Sequence, residues 1–258
     1  MLDVDKVTLA ISFGTTHEAA CERSITATEI ALTLAMPDSM VVRAFTSTKV
    51  RSALAKKDIH VDSVPEALDA AVAMGCKELT VAPTFVLAGE EYERAMTLIK
   101  ARADEFETIR FAAPLLSSHE DYHAVIDAIA QMYPVDVDTA LVLVGHGTDR
   151  PIGMAYAALN YEANISGHHN MFVGCVEGYP GPEAVAARIK AAGLTKAFIV
   201  PLMLVAGDHV WHDVFGDKDT SWRSVLEREG LEPQGVTRGL GEYEPIRNLY
   251  CAHMLAAK

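Results

Sequence analysis

The amino-acid sequence predicts an α/β protein made of two similar halves, each with a parallel sheet flanked by helices. Short apolar segments alternate with longer stretches of helical period along all 258 residues, and this alternation is typical of βαβ units. The chain also repeats part of its own pattern once. The segment Tyr133–Asp138 contains Pro134 and no periodic pattern, so we predict one half over residues 1–134 and a second over residues 135–258.

The predicted strands are apolar without strict alternation, as expected for strands covered on both faces. They are Val7–Phe13, Met40–Thr46, Glu78–Leu87, Thr108–Ala113, Thr139–Gly145, Asn170–Val176, Lys196–Leu204 and Gln234–Arg238. The helices between them are predicted from their period and, in several cases, from proline near the start and glycine past the end. They are Glu18–Ala35, Pro65–Met74, Glu90–Asp104, His119–Met132, Gly153–Ile165, Pro182–Ala192, Ser221–Glu229 and Tyr243–Ala256.

The internal repeat is visible in two pairs of segments. A shift of 118 residues aligns VAPTFVLAGEEY in the first half with IVPLMLVAGDHV in the second, which places Glu91 on His209. A shift of 133 residues aligns SFGT with GHGT, which places Phe13 on His146 and Gly14 on Gly147. Because both pairs occur in the same order, we expect two halves of one plan that face each other.

The composition excludes several classes of function. The net charge is −13, from 22 Lys and Arg against 35 Asp and Glu, and no basic stripe follows a phosphate backbone, so nucleic acid is not an expected partner. The four cysteines form no C-x-x-C pair, which argues against a structural zinc site. No apolar run approaches the roughly 18 residues that cross a bilayer. We expect a cytoplasmic protein, although an exported form whose leader had been removed would have the same sequence.

Three polar side chains follow predicted strands of the second half. His146 lies between two glycines, Glu177 precedes Gly178, and His209 ends the AGDH turn, whose first-half equivalent carries Glu91. Ligands of open parallel sheets bind beyond the carboxyl ends of the strands. Two imidazoles and a carboxylate suit a divalent first-row metal, so we predict that His146, Glu177 and His209 bind one.

The competing interpretation of each histidine is a hydrogen-bonded structural or surface group. The remaining histidines, among them His119, His123 and His212, lack the strand-end context. Asp208 is a candidate either to orient the ring of His209 or to cap a helix.

These residues resemble a known family, the anaerobic sirohydrochlorin cobaltochelatases, which are related in fold to ferrochelatases. The resemblance rests on segments that span nearly the whole chain in family order. They are ISFGTT (Ile11–Thr16), RAFTS (Arg43–Ser47), GEEYE (Gly89–Glu93), PLLSSHEDY (Pro114–Tyr122), VGHGT (Val144–Thr148), VEGYP (Val176–Pro180), PLMLVAGDH (Pro201–His209) and GLGE (Gly239–Glu242).

The resemblance implies a bilobal chelatase fold whose cleft holds a planar tetrapyrrole. It implies a lyase that inserts Co²⁺ into sirohydrochlorin during cobalamin biosynthesis, without an organic cofactor. His146 and His209 correspond to the metal-binding and proton-accepting histidines, Glu177 to the carboxylate beside them, and Glu91 to the acidic residue across the cleft. We predict that the substrate is contacted by residues of the first half, namely Ser12, Phe13, Gly14, Thr15, Arg43 and Tyr92.

Two alternatives stay open from the sequence. The ligand set does not separate Co²⁺ from Fe²⁺, so the chain could be a ferrochelatase that acts on sirohydrochlorin for sirohaem or haem synthesis. A non-catalytic carrier of a tetrapyrrole or a metal would also use a cleft with histidines. The sequence leaves a homo-oligomer open as well, and Phe85 stands where some family members have a histidine.

Overall fold

The computed structural model describes residues 4–258 and contains two four-stranded parallel sheets. The strand order is β2-β1-β3-β4 in the first sheet and β6-β5-β7-β8 in the second. The prediction of two α/β halves with parallel sheets is therefore confirmed. The strands are β1 (Lys6–Ser12), β2 (Met40–Phe45), β3 (Glu78–Pro83), β4 (Thr108–Phe111), β5 (Thr139–Gly147), β6 (Met171–Glu177), β7 (Lys196–Leu202) and β8 (Glu232–Gly235).

Helices connect successive strands, and several begin at a side-chain cap. Ser63 and Ser118 each accept the backbone N–H three residues on, while the acidic residue at that position returns a bond to the serine N–H. The helices are α1 (Glu18–Cys21), α2 (Ala27–Ala35), α3 (Thr48–Ala55), α4 (Val64–Ala73), α5 (Glu90–Lys100), α6 (His119–Met132), α7 (Met154–Ile165), α8 (Pro182–Ala191), α9 (Trp222–Arg228) and α10 (Glu244–Leu255). A wide helical turn, Glu22–Thr26, joins α1 to α2.

The two sheets share one register. Ile11 of β1 pairs with Pro83 of β3, and Val144 of β5 pairs with Pro201 of β7. The first members of these pairs are separated by 133 residues and the second members by 118, which are the two shifts seen in the sequence. The repeat is therefore structural, since residues matched in sequence occupy matched positions in the two sheets.

The chain divides into two compact units. The first runs to Ser117 and includes Gly241–Lys258, and the second is Ser118–Leu240. This division differs from the predicted boundary at residues 134 and 135. The reason is packing: α6 lies against α7 in the second unit, whereas α10 lies against α2 and β3 in the first. Met254 and Cys251 of α10 are buried with Leu32 in the first unit.

Several elements differ from the predictions: β3 ends at Pro83 rather than Leu87, α5 ends at Lys100 rather than Asp104, and α3 and β8 differ more. Helix α3 was not expected, because its sequence TKVRSALA has no apolar period. In the structure only Leu54 of this helix is buried, and Ser47 caps it by accepting from the N–H of Val50. Strand β8 lies earlier than the predicted Gln234–Arg238, because it pairs with the start of β7 and includes Pro233. An edge strand tolerates a proline that a central strand would exclude. No helix within residues 4–258 is long and apolar enough to span a membrane.

Candidate metal centre

The ends of three neighbouring strands bring His146, Glu177 and His209 together in the second unit. Strand β5 lies between β6 and β7, and Gly147 of β5 is the direct partner of Glu177 at the end of β6. His209 follows β7 and begins the helical turn Val210–Val214. The three side chains can each offer one ligand atom, and these atoms lie within 4.8 Å of one another.

The two imidazoles are spaced as ligands of a single ion. His146 Nε2 lies 3.2 Å from His209 Nε2, and the ring planes stand at 82° with centroids 4.5 Å apart. Metal–nitrogen bonds of about 2.1 Å in a tetrahedral site place two nitrogens about 3.4 Å apart. The observed separation is close to this value, so an ion can bind between the rings with little rearrangement.

The contacts of the two Nδ1 atoms determine the orientation of the imidazole rings. His146 Nδ1 lies 3.1 Å from the carbonyl oxygen of Gly147, and His209 Nδ1 lies 2.8 Å from the carboxylate of Asp213. A neutral ring that donates through Nδ1 has a lone pair on Nε2. Both Nε2 lone pairs then point at the same space, where a cation would satisfy them.

Asp213 orients His209, a role for which Asp208 was the candidate predicted from the sequence. Asp213 lies four residues after His209, one turn along the helical segment, and its other oxygen is 3.5 Å from Lys218 Nζ. The H-x-x-x-D spacing on a helix is the signal that could have identified it. A carboxylate behind a ligating histidine raises the basicity of the ring and holds its rotamer.

The end of β5, which carries His146, requires glycine and a buried tyrosine. Gly147 has φ of +91°, and a Cβ there would lie 1.6 Å from the carbonyl oxygen of Glu177. A Cβ on Gly145 would lie 2.2 Å from the ring of Tyr156, whose hydroxyl oxygen accepts the N–H of Gly147 at 3.1 Å. Burial raises the pKa of Tyr156 to about 12, so the hydroxyl stays neutral at physiological pH. Tyr156 therefore positions the backbone on both sides of His146.

Comparison with known proteins identifies the family. The model of the family "Cobalt chelatase (CbiK)" matches residues 6–258. The sirohydrochlorin cobaltochelatase of Salmonella typhimurium is 33% identical over 96% of this chain and 95% of its own length. The chain belongs to the cobalt chelatase (CbiK) family. The resemblance stated from the sequence is thus confirmed.

Further relatives agree with this assignment. The sirohydrochlorin cobaltochelatase CbiKC of Nitratidesulfovibrio vulgaris is 30% identical over 83% of this chain and 77% of its own length. Among solved structures, SirB from Bacillus subtilis with Fe³⁺ has a TM-score of 0.66 at 13% identity, over 96% of this chain and 94% of SirB. The multi-domain protein DR2241 from Deinococcus radiodurans has a TM-score of 0.63 at 16% identity, over 97% of this chain and 55% of DR2241. These two likenesses show the fold alone. The curated names favour cobalt over the iron alternative.

Four of the predicted substrate residues of this CbiK-family chain, Ser12 to Thr15, lie at the end of β1 and directly after it. Phe13 is 49% exposed, while Ser12 and Thr15 are buried, with only 2% and 7% of their surface exposed. The hydroxyl of Ser12 lies 3.0 Å from that of Thr84. Gly14 has φ of +95° and closely approaches the ring of Phe45. Phe13 is accordingly the member of this segment whose side chain is most available to a ligand.

The other predicted first-unit residues have partners within that unit. Arg43 Nε donates to Glu29 at 2.8 Å, and its Nη2 donates to Thr26 at 2.8 Å. The ring of Tyr92 packs edge-on against Phe85 with centroids 6.2 Å apart. Glu91, in the first turn of α5, accepts from Arg94 at 2.6 Å. The roles of Arg43 and Tyr92 in substrate binding and of Glu91 in proton transfer therefore stay predictions.

Proposed function

We propose that this chain is a sirohydrochlorin cobaltochelatase, a lyase that inserts Co²⁺ into sirohydrochlorin in anaerobic cobalamin biosynthesis. Family membership supports the reaction class, and the names of the curated relatives support the metal and the macrocycle. Within the chain, the observation that carries the proposal is the pair of Nε2 atoms of His146 and His209, 3.2 Å apart with Glu177 beside them. That arrangement holds a divalent ion by side chains at an accessible strand end.

The ligand set matches the task of delivering a metal rather than retaining it. Three protein ligands leave coordination positions open for water and then for the pyrrole nitrogens of the macrocycle. His146 and Glu177 are exposed, so the partly dehydrated ion can pass to a substrate without a rearrangement of the strand ends. Two imidazoles with one carboxylate bind Co²⁺ and Fe²⁺ alike, and we therefore propose Co²⁺ on the strength of the relatives.

Insertion releases two protons, one from each pyrrole N–H that the metal replaces. A neutral imidazole of His146 or His209 takes up a proton as the ion leaves it, and Glu91 takes up the other. The Arg94 contact of Glu91 is an exposed pair three residues apart on one helix, a kind of interaction worth less than about 1 kcal/mol. The carboxylate can therefore exchange this partner for a substrate proton at little cost.

The carboxylates of sirohydrochlorin require cationic partners although the protein is acidic overall. Arg43 is the first-unit candidate, and Phe13 with the adjoining Gly14 turn offers an apolar surface for a flat ring. Since Glu29 already binds Arg43, a substrate carboxylate would share the guanidinium, which has five donors.

Absorbance spectroscopy tests the proposal directly. The full chain is mixed with a large excess of sirohydrochlorin and either Co²⁺ or Fe²⁺, and the spectrum of the metallated product is followed against a protein-free reaction. Multiple turnovers with Co²⁺, faster than with Fe²⁺, are the expected result. Product limited to one equivalent per chain would identify a carrier instead, and faster turnover with Fe²⁺ would overturn the choice of metal.

A further inference from the structure

A second group of histidine and carboxylate side chains lies on helices α6 and α7 of the second unit. His119 is the first residue of α6, His123 lies one turn later, and Glu162 lies on the neighbouring helix α7. Helices α6 and α7 pack against each other. Residues four apart on a helix share a face, so both imidazoles can address the same carboxylate. None of the three belongs to the candidate metal centre.

The geometry of this helical cluster reproduces that of the metal centre. His119 Nε2 and His123 Nε2 are 3.1 Å apart, with ring planes at 83° and centroids separated by 4.5 Å. His123 Nε2 lies 3.3 Å from Glu162 Oε2, and His119 Nδ1 lies 3.6 Å from Glu162 Oε1. Two ligands on one tetrahedral first-row ion are separated by about 3.4 Å. The Nε2–Nε2 and Nε2–Oε2 separations therefore both suit a shared cation.

The surroundings of the cluster also fit a metal. The Oγ atom of Ser166 lies 3.0 Å from His123 Nδ1, so a ring that donates there has a free lone pair on Nε2. Glu162 is only 17% exposed, and its Oε2 atom is buried without a hydrogen bond in the described structure. A buried carboxylate oxygen without a donor is costly, and a cation between the rings would satisfy it.

We propose that His119, His123 and Glu162 form a second divalent-metal site, which takes borderline first-row ions such as Co²⁺, Zn²⁺ or Ni²⁺. Two imidazoles with one carboxylate favour these ions over Mg²⁺ and Ca²⁺, which prefer all-oxygen sites. The ion links α6 to α7, and because the side chain of His119 is 61% exposed, water completes its coordination. The site has its own ligands and does not depend on the proposed chelatase reaction.

The competing explanation is that the histidines, when protonated, form ion pairs with Glu162 and bind no metal. Counting bound ions separates the two. The full chain is dialysed against Co²⁺ alone, without a tetrapyrrole, and bound cobalt per chain is measured by metal analysis together with the visible absorption of protein-bound Co²⁺. The same measurement is made on His123→Ala, on His146→Ala and on the double variant.

Two ions per chain are expected for the wild type, one for each single variant and none for the double variant. Glu162→Gln, which keeps the shape but removes the charge, should weaken the second site at least tenfold. His169→Ala, which removes an exposed histidine of the same unit, should still bind two ions. Zn²⁺ should raise the melting temperature of His146→Ala but not that of the double variant, and Mg²⁺ should affect neither.

The proposal fails if His123→Ala binds as many ions as the wild type, or if His146→Ala alone abolishes all binding. Circular dichroism shows whether each variant is folded. Should His123→Ala be unfolded, His123→Gln takes its place, because glutamine retains helix propensity and a polar group. If the wild-type chain binds two ions but does not insert metal into sirohydrochlorin, the chelatase proposal is contradicted while the second site is still supported.

Discussion

The two units have one backbone plan and different chemistry at equivalent positions. Gly14 and Gly147 adopt nearly the same left-handed conformation, with φ of +95° and +91°, at the ends of the equivalent strands β1 and β5. In the first unit the residue before this glycine is Phe13, and in the second it is His146. The shared turn therefore carries an apolar ring in the first unit and a proposed metal ligand in the second.

The other two ligand positions differ in the same way. Ser12 pairs with Phe45 in the first sheet, and the equivalent Gly145 pairs with Cys175 in the second. Two residues after Phe45 the chain has Ser47, and two residues after Cys175 it has Glu177. Ser47 caps α3, whereas Glu177 is exposed beside the imidazoles. The third position is Glu91 against His209. Equivalent positions at the strand ends therefore exist in both units, but only in the second unit do they carry the three proposed metal ligands.

The largest effect should follow from removing a ligand of the second unit. His146→Ala or His209→Ala leaves two of three protein ligands, so we expect Co²⁺ insertion to fall by more than about 100-fold. Phe13→Ala, at the equivalent position of His146, removes only an apolar contact and should cost less than about tenfold. Initial rates of insertion into sirohydrochlorin measure both.

The control for this prediction is His212→Ala, which removes an exposed histidine three residues after His209. It should retain wild-type rates. Near-normal turnover in a folded His146→Ala or His209→Ala protein would remove that histidine from the mechanism and weaken the contrast between the units.

A second test compares the two turn glycines. Gly147→Ala places a methyl group against the backbone carbonyl of Glu177, which cannot move without displacing a ligand, whereas Gly14→Ala meets the side chain of Phe45 at 2.5 Å. Both variants carry the strain of a positive φ, of order 1–2 kcal/mol. Gly147→Ala should lose at least about 1 kcal/mol more than Gly14→Ala, and it alone should lose metal affinity.

Urea unfolding and Co²⁺ titration measure these two quantities. Gly167→Ala isolates the backbone strain, because Gly167 has φ of +92° and nothing lies within 4 Å of its Cβ position. Equal losses of metal affinity in Gly14→Ala and Gly147→Ala would show that the turn of the second unit has no special role in the site.

Replacing the acidic residue of the first unit should separate proton transfer from metal binding. Glu91→Gln keeps the size of the side chain but removes its basicity, so turnover should fall by about 100-fold, within the range for a general base. Co²⁺ affinity should stay within about twofold of the wild type, since Glu91 is not among the proposed ligands. Calorimetric titration and steady-state rates on the same samples measure both.

Arg94→Met tests whether the salt bridge of Glu91 matters. It removes an exposed pair and should change turnover by less than about threefold. If Glu91→Gln weakens Co²⁺ binding as much as His209→Ala does, Glu91 is another ligand, and the assignment of different roles to the two units is incorrect.

The smallest effect should come from the residue behind a ligand. Asp213→Asn can still accept from His209 Nδ1 but no longer carries a charge, so Co²⁺ affinity should fall by about tenfold. Lys218→Met, which removes the lysine 3.5 Å from Asp213, should leave affinity unchanged within about twofold. An unchanged affinity in Asp213→Asn would mean that packing alone orients His209.

Much of the fold follows from local signals in the sequence. Helix α6 has the predicted bounds His119–Met132, because Ser118 with Asp121 forms a capping box and Pro134 follows the end. Helix α3 was missed because packing against β2 stabilises it rather than an apolar period. The return of α10 to the first unit could not be predicted either, since it depends on contacts with α2 and β3, whose residues lie more than 160 positions earlier.

The residues around the candidate metal centre also include some that could be predicted from the sequence and some that could not. His146, Glu177 and His209 could be selected because parallel strands end at one edge of a sheet. Tyr156 could not, because its hydroxyl reaches Gly147 from a helix, and no sequence spacing specifies that contact. The helical cluster was missed for the same reason. His119 and His123 are visible in the sequence as two histidines four residues apart on α6, but no sequence spacing specifies that α7 places Glu162 beside them.

The return of α10 has a consequence for synthesis on the ribosome. Residues 118–240 are continuous, so all residues of the unit with the proposed metal ligands have been made while the first unit still lacks the helix that covers Leu32. Domains generally fold as units when all of their residues have emerged. The first unit therefore cannot complete its core until residues 241–258, which follow the whole second unit, have also been made.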